Sequence, residues 1–154
     1  MCILCQQGQL QNHYRFGSRS GSRRSFLKGA AATGATLDTF GPAPKGFITY
    51  GKDRRMMILI VQGDRPRSRS MAVMTDEQRV RLFGSLMAYA GTYRFDGKTI
   101  EHRIDVSWNE VWSGTTQVRD VRREGDRLIY TTRPAPSPVD GTMGVATMIW
   151  ERVK

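Results

Sequence analysis

Residues 91–108 read Gly-Thr-Tyr-Arg-Phe-Asp-Gly-Lys-Thr-Ile-Glu-His-Arg-Ile-Asp-Val-Ser-Trp, and this stretch decides the fold class. Apolar and polar residues alternate on both sides of the Asp96-Gly97 pair, with the period of two that half-buried strands show. An Asp-Gly pair between two such runs is the strongest short-range signal for a β-hairpin. The sequence therefore predicts two antiparallel strands, 91–95 and 98–108, joined by a tight turn.

The same alternation recurs along most of the chain. It predicts five further strands, over residues 45–50, 56–62, 115–123, 127–133 and 143–152. After Thr75, a typical helix N-cap, apolar residues recur every three or four positions, which predicts one amphipathic helix over 76–90. Because residues 56–61 are apolar on both faces, we expect this helix to cover the outer face of that strand. Seven strands and one helix, joined mostly by short turns, predict a mainly β protein, an antiparallel up-and-down β-barrel without exposed edges.

The composition limits the function. The chain has 154 residues, with 24 Lys and Arg against 14 Asp and Glu. From residue 45 onwards the basic residues alternate with apolar ones and do not cluster between aromatics, so we do not expect nucleic acid as a partner. No run approaches the roughly 18 apolar residues of a membrane-spanning helix, so no stable membrane span is expected. Cys2 and Cys5 are too few for a disulfide scaffold or a Cys-rich metal cluster, and we expect no metal and no cofactor.

The N-terminal part contains the most specific motif of the chain. Ser22-Arg-Arg-Ser-Phe-Leu-Lys28 resembles the twin-arginine export signal of bacteria, and every position agrees with its pattern. The resemblance implies a leader over residues 1–37, flexible or forming a short helix, followed by a barrel domain over 38–154. It also implies the twin-arginine export machinery as a partner and a periplasmic or secreted location. The alternative is a basic, flexible arm that begins a short helix at Ser25.

Several short motifs of the barrel region together resemble the lipocalin-like domain family of bacteria and fungi. They are Gly41-Pro-Ala-Pro-Lys-Gly46, Asp64-Arg-Pro66, Tyr89-Ala-Gly-Thr-Tyr93, Asp96-Gly97, His102, Trp112-x-Gly-Thr-x-Gln-Val-Arg119, Gly125-Asp-Arg-Leu128 and Ile149-Trp-Glu-Arg152. The resemblance covers residues 38–154. It implies a small barrel of about eight strands around a central cavity, with no general activity assigned.

The chain departs from that family in two places. The leader stands where the family has its first strand, so another segment must supply that strand if the barrel is to close. Residues 11–18, in which Tyr14 and Phe16 alternate with other residues, are one candidate. A partner chain is the other, by strand addition in a homo-oligomer. Asp120 stands where the family tends to have an apolar residue, which leaves open the face of its strand that points inwards.

His102 is the first candidate for a functional residue. It shares a strand face with Ile100 and Ile104, so we expect its side chain inside the barrel. A histidine there can be a hydrogen-bonded core residue, a contact for a ligand, or a general base. The only other histidine is His13, in the leader, so a histidine-based metal site is not expected. Three aromatic residues are candidates for lining the cavity, and these are Tyr93, Trp108 and Trp112.

Gln117 and Arg119 are further candidates, on the strand that follows His102. If their face points inwards, they lie close to His102 and form a polar end to an apolar cavity. The guanidinium then needs an anionic or carbonyl partner, because a buried unpaired charge is costly. If their face points outwards, Glu101 or Asp105 is that partner, and Arg119 is an ordinary surface charge.

Two functions fit these residues. The first is binding of a small, mainly apolar molecule, with a carboxylate or carbonyl group near Arg119. The second is an enzyme of the isomerase or cyclase type that uses His102 or Tyr93 as acid or base. General acid–base catalysis usually needs two groups with separated pKa values, and only one convincing inward titratable residue is visible. Binding is therefore favoured, and no catalytic residue is assigned.

Overall fold

The computed structural model describes residues 13–16, 27–31, 36–38, 40–41, 43–136, 141 and 143–152. The strands are β1 (His13–Phe16), β2 (Leu27–Ala31), β3 (Thr36–Asp38), β4 (Lys45–Tyr50), β5 (Arg55–Val61), β6 (Leu86–Phe95), β7 (Thr99–Ser107), β8 (Thr116–Glu124), β9 (Arg127–Thr132), β10 (Ala135–Pro136) and β11 (Met143–Arg152). One α-helix, α1 (Asp76–Gly84), and two 3-10 helices, Met71–Val73 and Glu110–Trp112, lie in the connections. Within these ranges no helix has the length and apolarity to cross a membrane.

Eight of the strands form a closed ring. Each pairs antiparallel with two neighbours in the order β1-β4-β5-β6-β7-β8-β9-β11, and β11 pairs in turn with β1. Tyr14 on β1 lies opposite Ile48 on β4 and opposite Arg152 on β11. The prediction of a mainly β, antiparallel barrel is confirmed. The strand that closes it lies within the candidate segment 11–18 of the same chain.

The segment around the arginine motif also joins the sheet. β2 pairs with the first half of β11, with Leu27 opposite Met148 and Ala31 opposite Gly144, and β3 pairs with β2. The structure thus has strands where the sequence predicts a flexible segment or a short helix. The reason is that β1 covers only the last residues of β11. The backbone groups along the remaining edge need partners, which β2 provides.

Alternating side chains of the ring strands point into the barrel. On β5, Met56, Ile58 and Ile60 are buried, whereas Met57 and Leu59 between them are exposed. The same alternation on the other strands completes a single core cluster, made mostly of isoleucine, methionine and tyrosine side chains. Burying one large apolar side chain contributes roughly 1.5–3 kcal/mol, so this cluster is the main source of stability.

The helix is shorter than the sequence predicts. It begins with the expected Thr75 cap: Thr75 Oγ1 accepts from the Gln78 N–H at 3.3 Å, and Gln78 Oε1 accepts from the Thr75 N–H at 3.1 Å. It ends at Gly84 and not at residue 90, because residues 86–90 already belong to β6, where alternate side chains such as Tyr89 are buried. The apolar residues of so short a stretch fit the helical period as well as the strand period of two. Pairing with β5 and β7 makes residues 86–90 a strand and not the end of the helix.

The prediction that the helix covers the outer face of β5 is also wrong. No residue of α1 is buried, and Met57 and Leu59 remain exposed. Arg65, in the loop before the helix, donates to the Leu82 carbonyl at 3.0 Å and to Ser85 Oγ at 3.1 Å. These bonds hold the end of α1 against the loop, so the helix does not lie along the strand.

β6 contains one irregular position. Its register with β7 shifts between Ala90 and Gly91. A β-carbon on Gly91 would collide with the carbonyl oxygen of Arg103, so only glycine allows the two backbones to come this close. Tyr89 and Tyr93, on either side of Gly91, are both buried in the interior.

Candidate functional site

His102 lies in the middle of β7 with its side chain fully buried, as the sequence predicts. Its register neighbours are Tyr93 on β6 and Gln117 on β8. Gln117 is half-buried, so two of the predicted site residues flank the histidine on the adjacent strands.

Three tyrosines surround the imidazole ring. Tyr50 Oη lies 2.8 Å from Nε2 of His102, and Tyr89 Oη lies 3.0 Å from Nδ1. Tyr130 Oη lies 3.0 Å from Tyr50 Oη and extends the network. The four side chains come from β4, β6, β7 and β9 and are all buried, so closure of the barrel brings them together.

Arg119 determines which nitrogen of His102 carries the proton. Its Nη1 lies 3.3 Å from Nδ1 of the imidazole. A guanidinium can only donate, so Nδ1 accepts and Nε2 carries the proton. The Nε2–H group then donates to Tyr50 Oη, and a hydrogen bond joins the hydroxyls of Tyr50 and Tyr130. The Tyr89 hydroxyl also faces Nδ1, so it shares the single lone pair of this nitrogen with Arg119.

Burial keeps the network uncharged. It lowers the pKa of His102 well below its usual value, and the nearby Arg119 cation lowers it further. Burial also raises the pKa of Tyr50, with a further contribution from Tyr130, and it raises the pKa of Tyr89. At neutral pH the imidazole and these phenols are therefore neutral, and the positive charge of the group belongs to Arg119.

Arg119 points into the barrel and is 3% exposed, whereas the next residue, Asp120, is exposed. The inward alternative for this strand face is therefore the one found. Asp105, a partner in the outward alternative, pairs with Arg55 on the outer surface. The Arg119 Cζ atom lies 5.9 Å from the centroid of the Tyr89 ring. No carboxylate of the described residues pairs with Arg119, and its Nε finds no hydrogen-bond acceptor among them.

The predicted aromatic residues fall into two groups. Trp112 contacts Tyr89 edge-on with ring centroids 5.7 Å apart, and Trp108 contacts Trp112 at 5.0 Å. Trp108 Nε1 is buried, and the described part of the chain offers it no acceptor. Tyr93 instead packs against Tyr50 at 4.7 Å, and its hydroxyl donates to the Gly51 carbonyl at 3.2 Å. The two tryptophans thus continue the site from Arg119, while the Tyr93 hydroxyl points to a turn.

A family model described as a lipocalin-like domain matches residues 28–153. The chain belongs to the lipocalin-like domain family. This confirms the resemblance inferred from the motifs. No curated protein shows a significant match to the chain. The family match begins at the last residue of the arginine motif, so β2 lies mostly inside the lipocalin-like domain and the closing strand β1 lies before it.

Sequence reasoning missed the three tyrosine partners of His102 in this lipocalin-like barrel. Tyr50 and Tyr130 occupy alternate positions of two strands that the sequence does predict, so the signal for both was present. Tyr89 falls in the stretch predicted as helix, which concealed its inward direction. Hydrogen bonds across the barrel connect positions far apart in sequence, and strand alternation alone does not show which inward residues meet.

The site offers two buried N–H donors without described acceptors, on Arg119 and on Trp108. Both side chains adjoin the edge-on pair of Tyr89 and Trp112. Such donors suit a carboxylate or a carbonyl oxygen. Among the described residues no group of three or more His, Cys, Asp or Glu side chains could hold a metal ion.

Proposed function

We propose that this protein binds a small, mainly apolar molecule that carries one carboxylate or carbonyl group, held beside Arg119 inside the barrel. One observation carries the proposal: Arg119 is buried, and no described carboxylate pairs with it. A buried charge without a partner is costly, and a ligand oxygen would remove that cost. The lipocalin-like fold fits a ligand-binding role.

Aromatic rings would recognise the apolar part of the ligand. Trp112 bridges Tyr89 and Trp108 by edge-on contacts, and Tyr89 in turn adjoins Arg119. Rings of this kind offer large apolar surfaces with few polar groups, which is typical of small-molecule sites. The Trp108 Nε1–H group would supply a second orienting hydrogen bond.

The alternative function is an isomerase or cyclase that uses His102 or Tyr93 as acid or base. A general base must reach the proton that it abstracts. Both ring nitrogens of His102 are already engaged, Nε2 with Tyr50 and Nδ1 with Tyr89 and Arg119. This arrangement favours binding over acid–base catalysis.

Binding can be tested with dodecanoate and 1-dodecanol as probes, followed by quenching of tryptophan fluorescence. A hydrogen bond to a charged group contributes about 1.5–3 kcal/mol, so dodecanoate should bind about 10- to 100-fold more tightly. An Arg119→Met variant should lose this preference while it still binds the alcohol. Arg122→Met, on the same strand but exposed, is the matched control and should keep the preference. If Arg119→Met kept the same preference for dodecanoate over 1-dodecanol as Arg122→Met, the proposal would be contradicted.

Native mass spectrometry of the protein purified from an exporting bacterial host is a complementary test. A co-purifying apolar mass with an acid or carbonyl group would name the ligand class. The same spectrum would report the number of subunits and any processing of the leader. Recovery of the protein without any bound molecule, combined with no response to the two probes, would rule out the proposed ligand class.

Export by the twin-arginine route, to the periplasm or outside the cell, is part of the same proposal. Its support is the motif of residues 22–28, of which Leu27 and Lys28 pair with Met148 and Thr147 of β11. The export receptor would have to compete with this pairing. An Arg23→Lys, Arg24→Lys double variant should stay in the cytoplasm of a fractionated bacterial host while the parent is exported. Equal distribution of the two chains would disprove this route.

A further inference from the structure

The two ends of the barrel differ in their connections. At one end, the turn end, residues 51–54, 96–98 and 125–126 join consecutive strands by tight turns. At the other, the helical end, the longer segments 62–85, 108–115 and 133–142 join strands of the ring, and β1 also ends here, where Phe16 pairs with Gly46. The first contains α1 and the 3-10 helix Met71–Val73, and the second contains the 3-10 helix Glu110–Trp112. The aromatic rings of Phe83 and Trp108, whose centroids lie 6.3 Å apart, join these two connections.

Exposed apolar side chains concentrate at the helical end. Six large ones lie in its connections or at the start of β11, and these are Met71, Val73, Val80, Phe83, Val111 and Met143. Met71 is 82% exposed, Val111 78% and Val80 72%. The turn-end residues, all of them described, include no exposed large apolar side chain. Patches of this kind on one face usually mark an interaction site.

The helical end also carries a small excess of basic residues. Its three long connections have six basic residues in the sequence, which are Arg65, Arg67, Arg69, Arg79, Arg81 and Arg133. They have five acidic ones, which are Asp64, Asp76, Glu77, Glu110 and Asp140. Arg79 and Arg81 pair with Asp76 and Asp64, but Arg67 and Arg69 are exposed and pair with no described acid. The three turns of the turn end carry three basic and three acidic residues, so their charges balance.

We propose that the helical end docks on an anionic phospholipid membrane. Exposed apolar side chains would enter the boundary between head groups and acyl chains, and the arginines would contact lipid phosphates, as in interfacial helices. The nine-residue α1 can lie in the plane of such an interface. A second copy of the chain fits less well, since it would bring two basic ends together. This surface adjoins the interior site, since Phe83 contacts Trp108. Docking would use the exposed side chains and not Arg119, so the proposal does not depend on ligand binding.

The charge contribution can be tested by co-sedimentation of the full chain with vesicles. Phosphatidylcholine vesicles that contain phosphatidylglycerol should bind the protein, vesicles of phosphatidylcholine alone should not, and added salt should weaken binding. Each basic residue near an anionic surface strengthens binding roughly fivefold, so an Arg67→Glu, Arg69→Glu variant should bind roughly 30-fold more weakly or worse. The control Lys52→Glu, Lys98→Glu makes the same change in net charge at the turn end and should bind almost as the parent does.

The apolar contribution needs a variant that leaves the charge unchanged. Met71→Ser, Val80→Ser should reduce binding roughly tenfold, because both side chains lose apolar area that enters the lipid. Met57→Ser, exposed on the side of the barrel, is the control and should have little effect. Equal weakening by the two charge variants would mean a non-specific attraction of a basic protein and would overturn the proposal. Unchanged binding of the serine double variant, or a dimer that forms through the helical end, would overturn it as well.

Discussion

Replacing Arg119 with methionine should make the ligand-free protein more stable. The change removes a cation that is 3% exposed and has no described carboxylate partner. The loss of the cation–π contact with Tyr89 costs about 0.5–2 kcal/mol. Nδ1 of His102 keeps a donor, because the Tyr89 hydroxyl lies 3.0 Å away. Replacing a buried ion pair by apolar groups of similar volume is often neutral or stabilising by about 1–4 kcal/mol. After the lost cation–π contact is subtracted, we expect a net gain of up to about 3 kcal/mol.

The assay is urea unfolding without ligand, with thermal unfolding as a second measure. For a chain of this size, each kcal/mol should raise the melting temperature by about 2–4 °C. The exposed Arg122→Met should change stability by less than about 0.5 kcal/mol and serves as the control. Dodecanoate should then stabilise the parent more than Arg119→Met. A loss of about 2 kcal/mol or more in ligand-free Arg119→Met would refute the reasoning, because it would show that the arginine is already paired within the fold.

Three further predictions follow from the fold. Because the unfolded chain protonates His102 near pH 6.5 and the folded chain does not, stability should fall as the pH drops below that value, by up to about 2 kcal/mol at pH 5; a His102→Gln variant that shows the same fall in urea unfolding would contradict this. Gly91→Ala should destabilise the barrel by about 1–3 kcal/mol through its collision with the Arg103 carbonyl, whereas Gly84→Ala, with open space around its β-carbon, should not. Deletion of residues 1–17 removes β1 and exposes the edges of β4 and β11, so size-exclusion chromatography should show association that rises with concentration; a stable monomer would count against β1 as the closing strand.

The strand pattern was readable from the sequence because alternation is a local property. The predicted runs 45–50 and 143–152 agree with β4 and β11 residue for residue. The turn at Asp96-Gly97 forms as expected, with Asp96 Oδ1 accepting from the backbone N–H groups of Lys98 and Thr99. Residues 86–90 were wrongly predicted as helix, because their few apolar residues fit both the helical period and the strand period. Their conformation depends on pairing with two neighbouring strands, which the local sequence does not show.

The site was only partly readable. The sequence placed His102 inside the barrel, since its neighbours on the same face are aliphatic. It left both orientations of Arg119 open, because a strand with polar residues on both faces carries no clear inward signal. The hydroxyls of Tyr50 and Tyr130 reach the network from strands 52 and 28 positions away from His102 in sequence, and no local pattern encodes such distances.

Local spacing and short motifs were enough to predict the class of fold, the family, the buried histidine and the resemblance to an export motif. Three other features became visible in the folded chain: β1 closes the ring, part of the arginine motif pairs with β11, and Arg119 points inwards without a described acid beside it. The physical reason is that these features depend on which edges and faces meet once the sheet closes. Backbone groups on an open edge and a charge in the interior must find partners wherever the chain supplies them.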